Sequence, residues 1–103
     1  MYKDEFPDYD DELWIPDGFK DESWHNDVCP HVEKEIEDFN GAHIQILIWQ
    51  DYKDPEKREY SCASRYMLVI NVNGDDVFIY STDNFDELER IVTTNLVNGY
   101  WEH

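Results

Sequence analysis

Three stretches of the chain have the residue pattern of β-strands, and the alternation of apolar positions is clearest in the second. The stretches are residues 42–50, 60–72 and 76–81. Asn73-Gly74 separates the second from the third, and this dipeptide favours a tight hairpin because both of its residues tolerate a positive φ. The pattern predicts three consecutive strands that form an antiparallel meander.

The first of these strands is apolar on both faces. Ile44, Ile46 and Ile48 share one face, whereas Leu47 and Trp49 lie on the other. The second strand carries one alternating set, which consists of Tyr60, Cys62, Tyr66, Leu68, Ile70 and Val72. In the first strand, Leu47 and Trp49 thus make the second face partly apolar too.

Two segments with the spacing of amphipathic helices flank these strands. In residues 28–39 the apolar positions lie on one helical face, and Asn40-Gly41 supplies a stop. These positions are Val28, Val32, Ile36 and Phe39. In residues 84–97, Asn84 and Glu87 form a candidate capping box before an apolar stripe that Asn98-Gly99 ends. The stripe consists of Phe85, Leu88, Ile91, Val92 and Leu96.

Residues 1–24 show no clean period, because Pro7, Pro16 and Gly18 interrupt them. We predict extended chain and turns for this acidic-aromatic N-terminal segment and a single α+β domain over residues 25–103. The expected architecture is a three-stranded antiparallel meander with an N-terminal and a C-terminal helix packed on one face. The length of 103 residues, 41% of them hydrophobic, suffices for one core.

The net charge restricts the possible classes of function more than any sequence motif does. The chain has 25 acidic and 8 basic residues, a formal net charge of −17. Residues 1–38 alone contain 14 acids and 3 bases. Such a field repels nucleic acid and anionic membrane and attracts basic partners. There is no Lys/Arg stripe, so direct nucleic-acid binding is not expected.

The sequence carries no sign of membrane insertion or export. No apolar run approaches the length of a membrane span, and no basic region is followed by a short apolar one. We therefore expect a soluble protein in the bacterial cytoplasm. Cys29 and Cys62 do not form a disulfide framework, and free thiols are expected in that compartment.

The search for catalytic chemistry finds no complete set. There is no Gly-rich phosphate loop, and the carboxylates are too numerous for any pair to indicate an acid and a base. His25, Cys29 and His31 lie close together in the sequence, and Cys62 or His43 is a possible fourth zinc ligand. Their spacing matches no standard zinc module. We expect a binding protein, not an enzyme, without metal or cofactor.

The N-terminal segment interleaves carboxylates with large aromatic residues, which is typical of a surface that binds a basic protein. Duplex DNA presents about one negative charge per 1.7 Å of axis, and a folded acidic protein can occupy the same Lys/Arg cleft. The predicted electrostatic surface comprises Asp8, Asp10, Asp11, Glu12, Asp17, Asp21 and Glu22. Trp14, Phe19 and Trp24 are the predicted apolar anchors.

Two plainer interpretations of the same residues stay open. The segment is then a solvated acidic arm whose aromatic residues, Trp14 and Ile15 among them, pack back onto the sheet. Alternatively, the acidic surface is a halophilic adaptation, which fits the large aromatic and isoleucine content less well.

The C-terminal part, "MLVINVNGDDVFIYSTDNFDELERIVTTNLVNGYW" (67–101), resembles the hairpin-then-helix half of small acidic phage anti-CRISPR proteins. These proteins occupy the DNA-binding cleft of a CRISPR effector nuclease. The shared features are a strand that ends in Val-Asn, a tight turn, a second strand that runs into Ser/Thr and acids, and an amphipathic helix stopped by Asn-Gly-aromatic. They cover about a third of the chain.

The resemblance implies that inhibitory carboxylates surround the hairpin turn, at positions that correspond to Asn73, Asp75 and Asp76. The long acidic-aromatic N-terminus departs from the family pattern, and it is an alternative location for the contact. The predicted function is an acidic phage anti-defence inhibitor that binds the basic nucleic-acid-binding cleft of a nuclease or CRISPR effector by DNA mimicry. We expect a monomer or a small homo-oligomer.

Two other classes of binding protein fit the same features. An immunity protein that neutralises a cognate secreted nuclease toxin is also small, acidic and rich in Trp and Tyr. An acidic adaptor would use "DEFPDYDDELW" (4–14) as a linear motif, and residues 1–24 would then bind alone.

Overall fold

The computed structural model describes residues 1–38, 40–60 and 62–97 and contains one antiparallel sheet. Its five strands lie in the order in which they occur along the chain. They are β1 (Lys20–Asp21), β2 (His31–Glu37), β3 (His43–Gln50), β4 (Tyr66–Val72) and β5 (Asp75–Thr82). The helices in these residues are α1 (Tyr2–Glu5) and α2 (Phe85–Ile91), with a 3-10 turn at Pro55–Lys57 and a π-helical turn at Val92–Val97.

The predicted three-stranded α+β architecture is wrong: β1 and β2 extend the sheet to five strands, and the larger error lies in residues 28–39. This segment contains β2, not a helix. Val32 opposes Ile48 and Ile36 opposes Ile44 across the β2–β3 pair. A spacing of four residues satisfies both the helical period and the even period of a strand, so the pattern alone did not distinguish them. Phe39, the last residue of the predicted stripe, lies outside the described residues.

The later elements follow the sequence pattern more closely. The strands predicted at 42–50 and 76–81 are confirmed as β3 and β5, and the strand predicted at 60–72 begins at Tyr66. Asn73 and Gly74 both have a positive φ, as a tight hairpin turn between β4 and β5 requires. The predicted C-terminal helix is present as α2 and the turn that follows it, and its predicted Asn98-Gly99 stop lies outside the described residues.

One face of the sheet forms the core. Ile46, Ile48, Leu68 and Ile70 on this face are almost completely buried. Leu88 of α2 and Val92 just after it pack on the same face, as do residues of the N-terminal segment. The N-terminal contributors are Tyr2, Leu13 and Phe19. The acidic-aromatic segment therefore serves as part of the layer that covers the sheet.

The N-terminal segment is fixed to the end of β3 by a buried amide. Gln50 continues the row of isoleucines on the core face of β3 and is only 2% exposed. Its Oε1 accepts a hydrogen bond from the backbone N–H of Trp14 at 2.9 Å, and its Nε2 donates to the Trp14 carbonyl oxygen at 2.7 Å. The side chain thus pairs with Trp14 as a neighbouring strand would, because it satisfies both backbone groups.

Within the described residues, no helix has both the length and the apolar character that a membrane span needs.

We expect Gln50→Leu to destabilise the fold although it adds an apolar side chain to the core. The substitution leaves the N–H and carbonyl of Trp14 without their partner, at a cost of up to about 1–3 kcal/mol for each of these partly buried groups. Chemical denaturation measures the loss. Gln45→Leu is the matched control, because Gln45 lies partly exposed on the opposite face of the same strand. Equal stability of the two variants would contradict this account.

Candidate protein-binding surface

The face of the sheet opposite the core carries a continuous set of apolar side chains. Leu47 opposes Val69, and Val69 opposes Ile79, in a row across β3, β4 and β5. Trp49 opposes Met67 in the next row. Met67 and Ile79 are exposed and Leu47 and Trp49 are partly buried, whereas Val69 is covered by its neighbours. We call these five residues the open face.

The open face is the floor of a groove of about 800 Å³. Residues 26–29, residues 59–60 and residues 63–65 supply other parts of its lining. Val28 and Tyr60, both exposed, add apolar surface there. An exposed apolar groove of this size on a small protein is typical of an interaction site.

Carboxylates border the groove at both ends. At one end Gln45 Nε2 donates to Glu35 Oε1 at 3.2 Å, and Asn71 Nδ2 donates to Asp76 Oδ1 at 3.0 Å. These four residues oppose one another as a polar row across β2 to β5. At the other end Asp27 and Glu59 belong to the lining, as does Asp51, which is buried.

One arginine also lies at this second end, but internal contacts engage its charge. Arg65 Nη2 is 2.7 Å from Asp11 Oδ2, and its Nε donates to the Asp51 carbonyl oxygen at 3.2 Å. The guanidinium also lies 5.0 Å from the centre of the Tyr66 ring. The ion pair leaves the acidic character of the groove ends largely uncompensated.

Trp49 is held in place by a histidine. The rings of His31 and Trp49 stack with centroids 4.2 Å apart, and His31 Nε2 lies 3.3 Å from Glu33 Oε1. His31 is buried, so the indole rests against a fixed neighbour. Close by, burial raises the pKa of the Cys29 thiol to about 12, which keeps it protonated and unreactive at neutral pH.

The zinc candidates do not form a metal site in the described part of the chain. No three His, Cys, Asp or Glu side chains there are placed to hold a metal ion. Cys29 is buried whereas Cys62 is exposed.

Several of the predicted surface carboxylates have structural contacts. Asp8 Oδ1 accepts a hydrogen bond from the Tyr52 hydroxyl at 2.8 Å. The two oxygens of Asp10 accept the backbone N–H groups of Lys53 and Asp54, each at 2.8 Å. The N-terminal carboxylates therefore fasten this segment to the loop after β3.

The remaining predicted acids divide into bound and exposed groups. Asp11 pairs with Arg65, and Asp21 Oδ2 accepts the backbone N–H of Tyr2 at 2.6 Å. The side chains that are exposed are those of Glu12, Asp17 and Glu22. Only part of the predicted electrostatic surface is thus unengaged and able to meet a partner.

The three predicted aromatic anchors occupy different environments. Phe19 is 6% exposed and belongs to the core, so a partner cannot contact it without unfolding the segment. Trp14 is partly buried, with its ring edge-on to Phe85 at a centroid distance of 5.0 Å. Trp24 is 51% exposed and lies beside the ring of His25. Trp24 alone of the three presents most of its surface to solvent.

The hairpin residues implied by the resemblance also differ in their contacts and exposure. Asn73 has a structural role, because its Oδ1 accepts the backbone N–H of His43 at 2.9 Å. Asp75 and Asp76 are both exposed, and Asp76 also accepts from Asn71. The hairpin tip therefore retains two accessible carboxylates.

The two predicted acidic patches lie at opposite ends of the sheet. Asp11 contacts Arg65, which immediately precedes β4, and Asp75 lies just beyond the other end of β4. A strand of this length separates them by roughly 20 Å. The open face lies between the patches, and the sequence interpretation did not include it. Its one signal was the second apolar face formed by Leu47 and Trp49.

No protein-family model matches the chain, and neither a curated protein nor a solved structure shows significant similarity to it.

We expect Phe19→Ala to reduce the free energy of unfolding by about 3–5 kcal/mol, because it leaves a cavity under the N-terminal segment. Trp24→Ala removes a larger side chain but should cost less than about 1 kcal/mol, because half of that side chain is already in solvent. Urea denaturation of both variants measures the difference. A small effect of Phe19→Ala would mean that the segment does not pack as described.

Stability should also depend on pH through Asp11. The hydrogen bond from Arg65 lowers the pKa of Asp11 below its ordinary value, so this carboxylate stabilises the fold above about pH 4. The contribution disappears as the pH falls through the lowered pKa. Asp11→Asn should therefore cost less than about 1 kcal/mol at pH 7, since the pair is partly solvated, and still less at pH 3.

Urea denaturation at both pH values tests this, with Asp17→Asn as the control for the general loss of one negative charge. Asp17 is exposed, as the carboxylate of Asp11 partly is. If Asp11→Asn is less stable than Asp17→Asn by the same free energy of unfolding at pH 7 and at pH 3, the ion pair is not the source of the difference.

Proposed function

We propose that this protein is a non-enzymatic acidic inhibitor that binds the basic nucleic-acid-binding surface of a nuclease or another nucleic-acid-binding protein. A CRISPR effector nuclease, the target of the phage proteins that the C-terminal part resembles, is the first target to test. The observation that carries the proposal is an exposed apolar face bordered at both ends by carboxylates, on a chain with a net charge of −17.

The charge distribution supports a basic partner. Two arginines precede α2, and both form hydrogen bonds within the chain. Arg65 donates to Asp11, and Arg58 donates to the carbonyl oxygens of Tyr52 and Ala63. Within the described ranges Asp51 is the one buried acidic residue, so the other carboxylates there are at least partly exposed to solvent. The surface field is therefore negative, which accelerates encounter with Lys/Arg-rich surfaces and repels nucleic acid.

The apolar component supports a protein target over a small cation. Carboxylates at the rim of an interface speed association and orient the partner, whereas buried aromatic and aliphatic contacts supply most of the binding free energy. Trp49, Leu47 and Ile79 provide such contacts between the two acidic ends. DNA has no equivalent surface, so the protein would bind a cleft more tightly than charge alone permits.

A cognate immunity protein for a secreted nuclease toxin is the second candidate. The concave groove favours it, because an apolar groove selects a partner of complementary shape, whereas polyanion mimicry requires only suitably spaced charge. The two candidates differ in breadth of target. A mimic competes with DNA for its target, and an immunity protein binds one toxin at high salt.

The test is capture of targets from bacterial lysate on the tagged protein, with a salt series and duplex DNA as competitor, followed by mass spectrometry. A basic nuclease or effector released by DNA and by salt, and inhibited in a cleavage assay, supports mimicry. A single toxin retained at high salt supports the immunity role. Failure of every captured protein to bind nucleic acid would refute both.

With such a target identified, we expect Asp75→Asn/Asp76→Asn to slow association several-fold and to flatten its dependence on salt, because carboxylates near the contact dominate steering. The control is Asp86→Asn/Glu89→Gln, which removes the same charge from exposed positions on α2. Stopped-flow or surface-plasmon measurements between about 50 and 300 mM salt provide the rates. Equal effects of the two pairs would show that only the total charge matters.

A further inference from the structure

The open face has the dimensions of a binding site for one α-helix. Three neighbouring strands, β3 to β5, span about 10 Å across, which matches the diameter of a helix with its side chains. The core face of the same sheet is covered by α2 and the N-terminal segment. An apolar sheet face is ordinarily covered by a second layer, which is either a set of helices or another sheet. On this face Ile79 remains 59% exposed.

We infer that the open face binds one amphipathic α-helix of the partner protein, with the apolar stripe of the helix on the floor of the groove and Lys or Arg residues at both of its ends. The inference rests on the proposed function, since it takes the partner to be basic. It adds that the partner is recognised through an α-helix.

Charge complementarity determines where the basic residues lie. One end of the groove presents Asp27 and Glu59, and the other presents Glu35 and Asp76. The ends are separated by about the length of β3, roughly 20 Å. A helix rises 1.5 Å per residue, so basic residues about ten to thirteen positions apart meet both ends.

The floor provides both a rigid and an adaptable contact. Trp49 is stacked on buried His31, so little side-chain freedom is lost when a helix packs on it. Met67 is exposed in the centre of the face and adjusts to the side chains it meets. The fixed aromatic lowers the entropy cost of binding, and the flexible thioether accommodates the apolar side chains of a helix.

The same charges disfavour a second copy of this chain as the occupant. Two copies that joined their open faces would bring together carboxylate-bordered grooves on molecules that each carry −17. A basic helix instead neutralises the acids that the groove holds close together.

The test uses a synthetic peptide of about 14 residues, with leucines at i, i+3, i+4 and i+7 and a pair of lysines at each end. A scrambled peptide of identical composition keeps the charge and removes the apolar stripe. Titration into the isotopically labelled protein should perturb the amide signals of Leu47, Trp49, Met67, Val69 and Ile79. The scrambled peptide should bind at least about tenfold more weakly.

Two substitutions on β5 form a matched pair for the same titration. Ile79 is 59% and Val77 is 58% exposed, but only Ile79 lines the groove. Val77 is the extra residue of the irregularity in the β4–β5 pairing. Ile79→Ser should weaken the ordered peptide about tenfold, whereas Val77→Ser should change its affinity less than about twofold.

Other results would overturn the inference. Equal affinity for the two peptides means that charge alone binds, and equal losses from the two substitutions place the contact at the edge of β5. Tighter binding after removal of residues 98–103 identifies that segment as the natural occupant. Self-association in sedimentation that Ile79→Ser abolishes would identify a second copy.

The inference and the proposed function can fail separately. Capture and inhibition of a nucleic-acid-binding target that are unchanged by Ile79→Ser would overturn the helix site and leave the function intact. Binding of the ordered peptide at the open face, without capture of any nucleic-acid-binding protein, would overturn the function and leave the helix site intact.

Discussion

The double hydrogen bond between Gln50 and the backbone of Trp14 is the constraint on which much of the molecule depends. It places a polar side chain at the end of the isoleucine row of β3 and so determines where the N-terminal segment crosses the sheet. With Trp14 held there, Leu13 and Phe19 lie over the core, and the carboxylates of Asp8 and Asp10 reach the loop after β3. The N-terminal segment thus covers the core face together with α2, whereas the opposite face of the sheet stays exposed.

The acidic residues therefore have two different roles. Some of them satisfy backbone N–H groups and one arginine, which builds the end of the sheet where β3 and β4 meet the N-terminal segment. Others remain in solvent at the hairpin tip and along the rim of the groove. A high density of carboxylates costs stability by mutual repulsion, and the internal contacts of the first group offset part of this cost. The second group is what a basic partner encounters.

Much of the second half of the chain could be predicted from sequence, because short strand-like runs separated by an Asn-Gly turn leave few alternatives. The cap of α2 also followed the pattern in part: Asn84 accepts the N–H of Glu87, while its own N–H donates to Thr82. The segment 28–39 could not be assigned, since its four-residue spacing fits two periods and the deciding contacts are with β3, distant in sequence. β1 is only two residues long and has no local signature.

The candidate site was less accessible to sequence reasoning than the fold. Residue types alone do not reveal whether a carboxylate is free, so Asp8, Asp10 and Asp11 looked like Glu12 and Asp17. Burial was equally hidden for Phe19 and Trp24, which occur in similar acidic surroundings but lie in the core and in solvent, respectively. The open face requires knowledge of three-strand register, because Leu47, Val69 and Ile79 become neighbours only when β3, β4 and β5 are paired.

The exposed edge of β5 has a consequence for the colloidal behaviour of the protein. Val77, Phe78 and Ile79 are consecutive and exposed on an edge strand, a combination that promotes pairing between molecules. Asp75, Asp76 and Asp83 flank this run and act as gatekeepers against such pairing. Near the isoelectric point of about 4.2 the net charge that keeps the molecules apart vanishes, and association is favoured. The acidity that suits the protein to a basic partner thus also keeps its own sheet edge from aggregation.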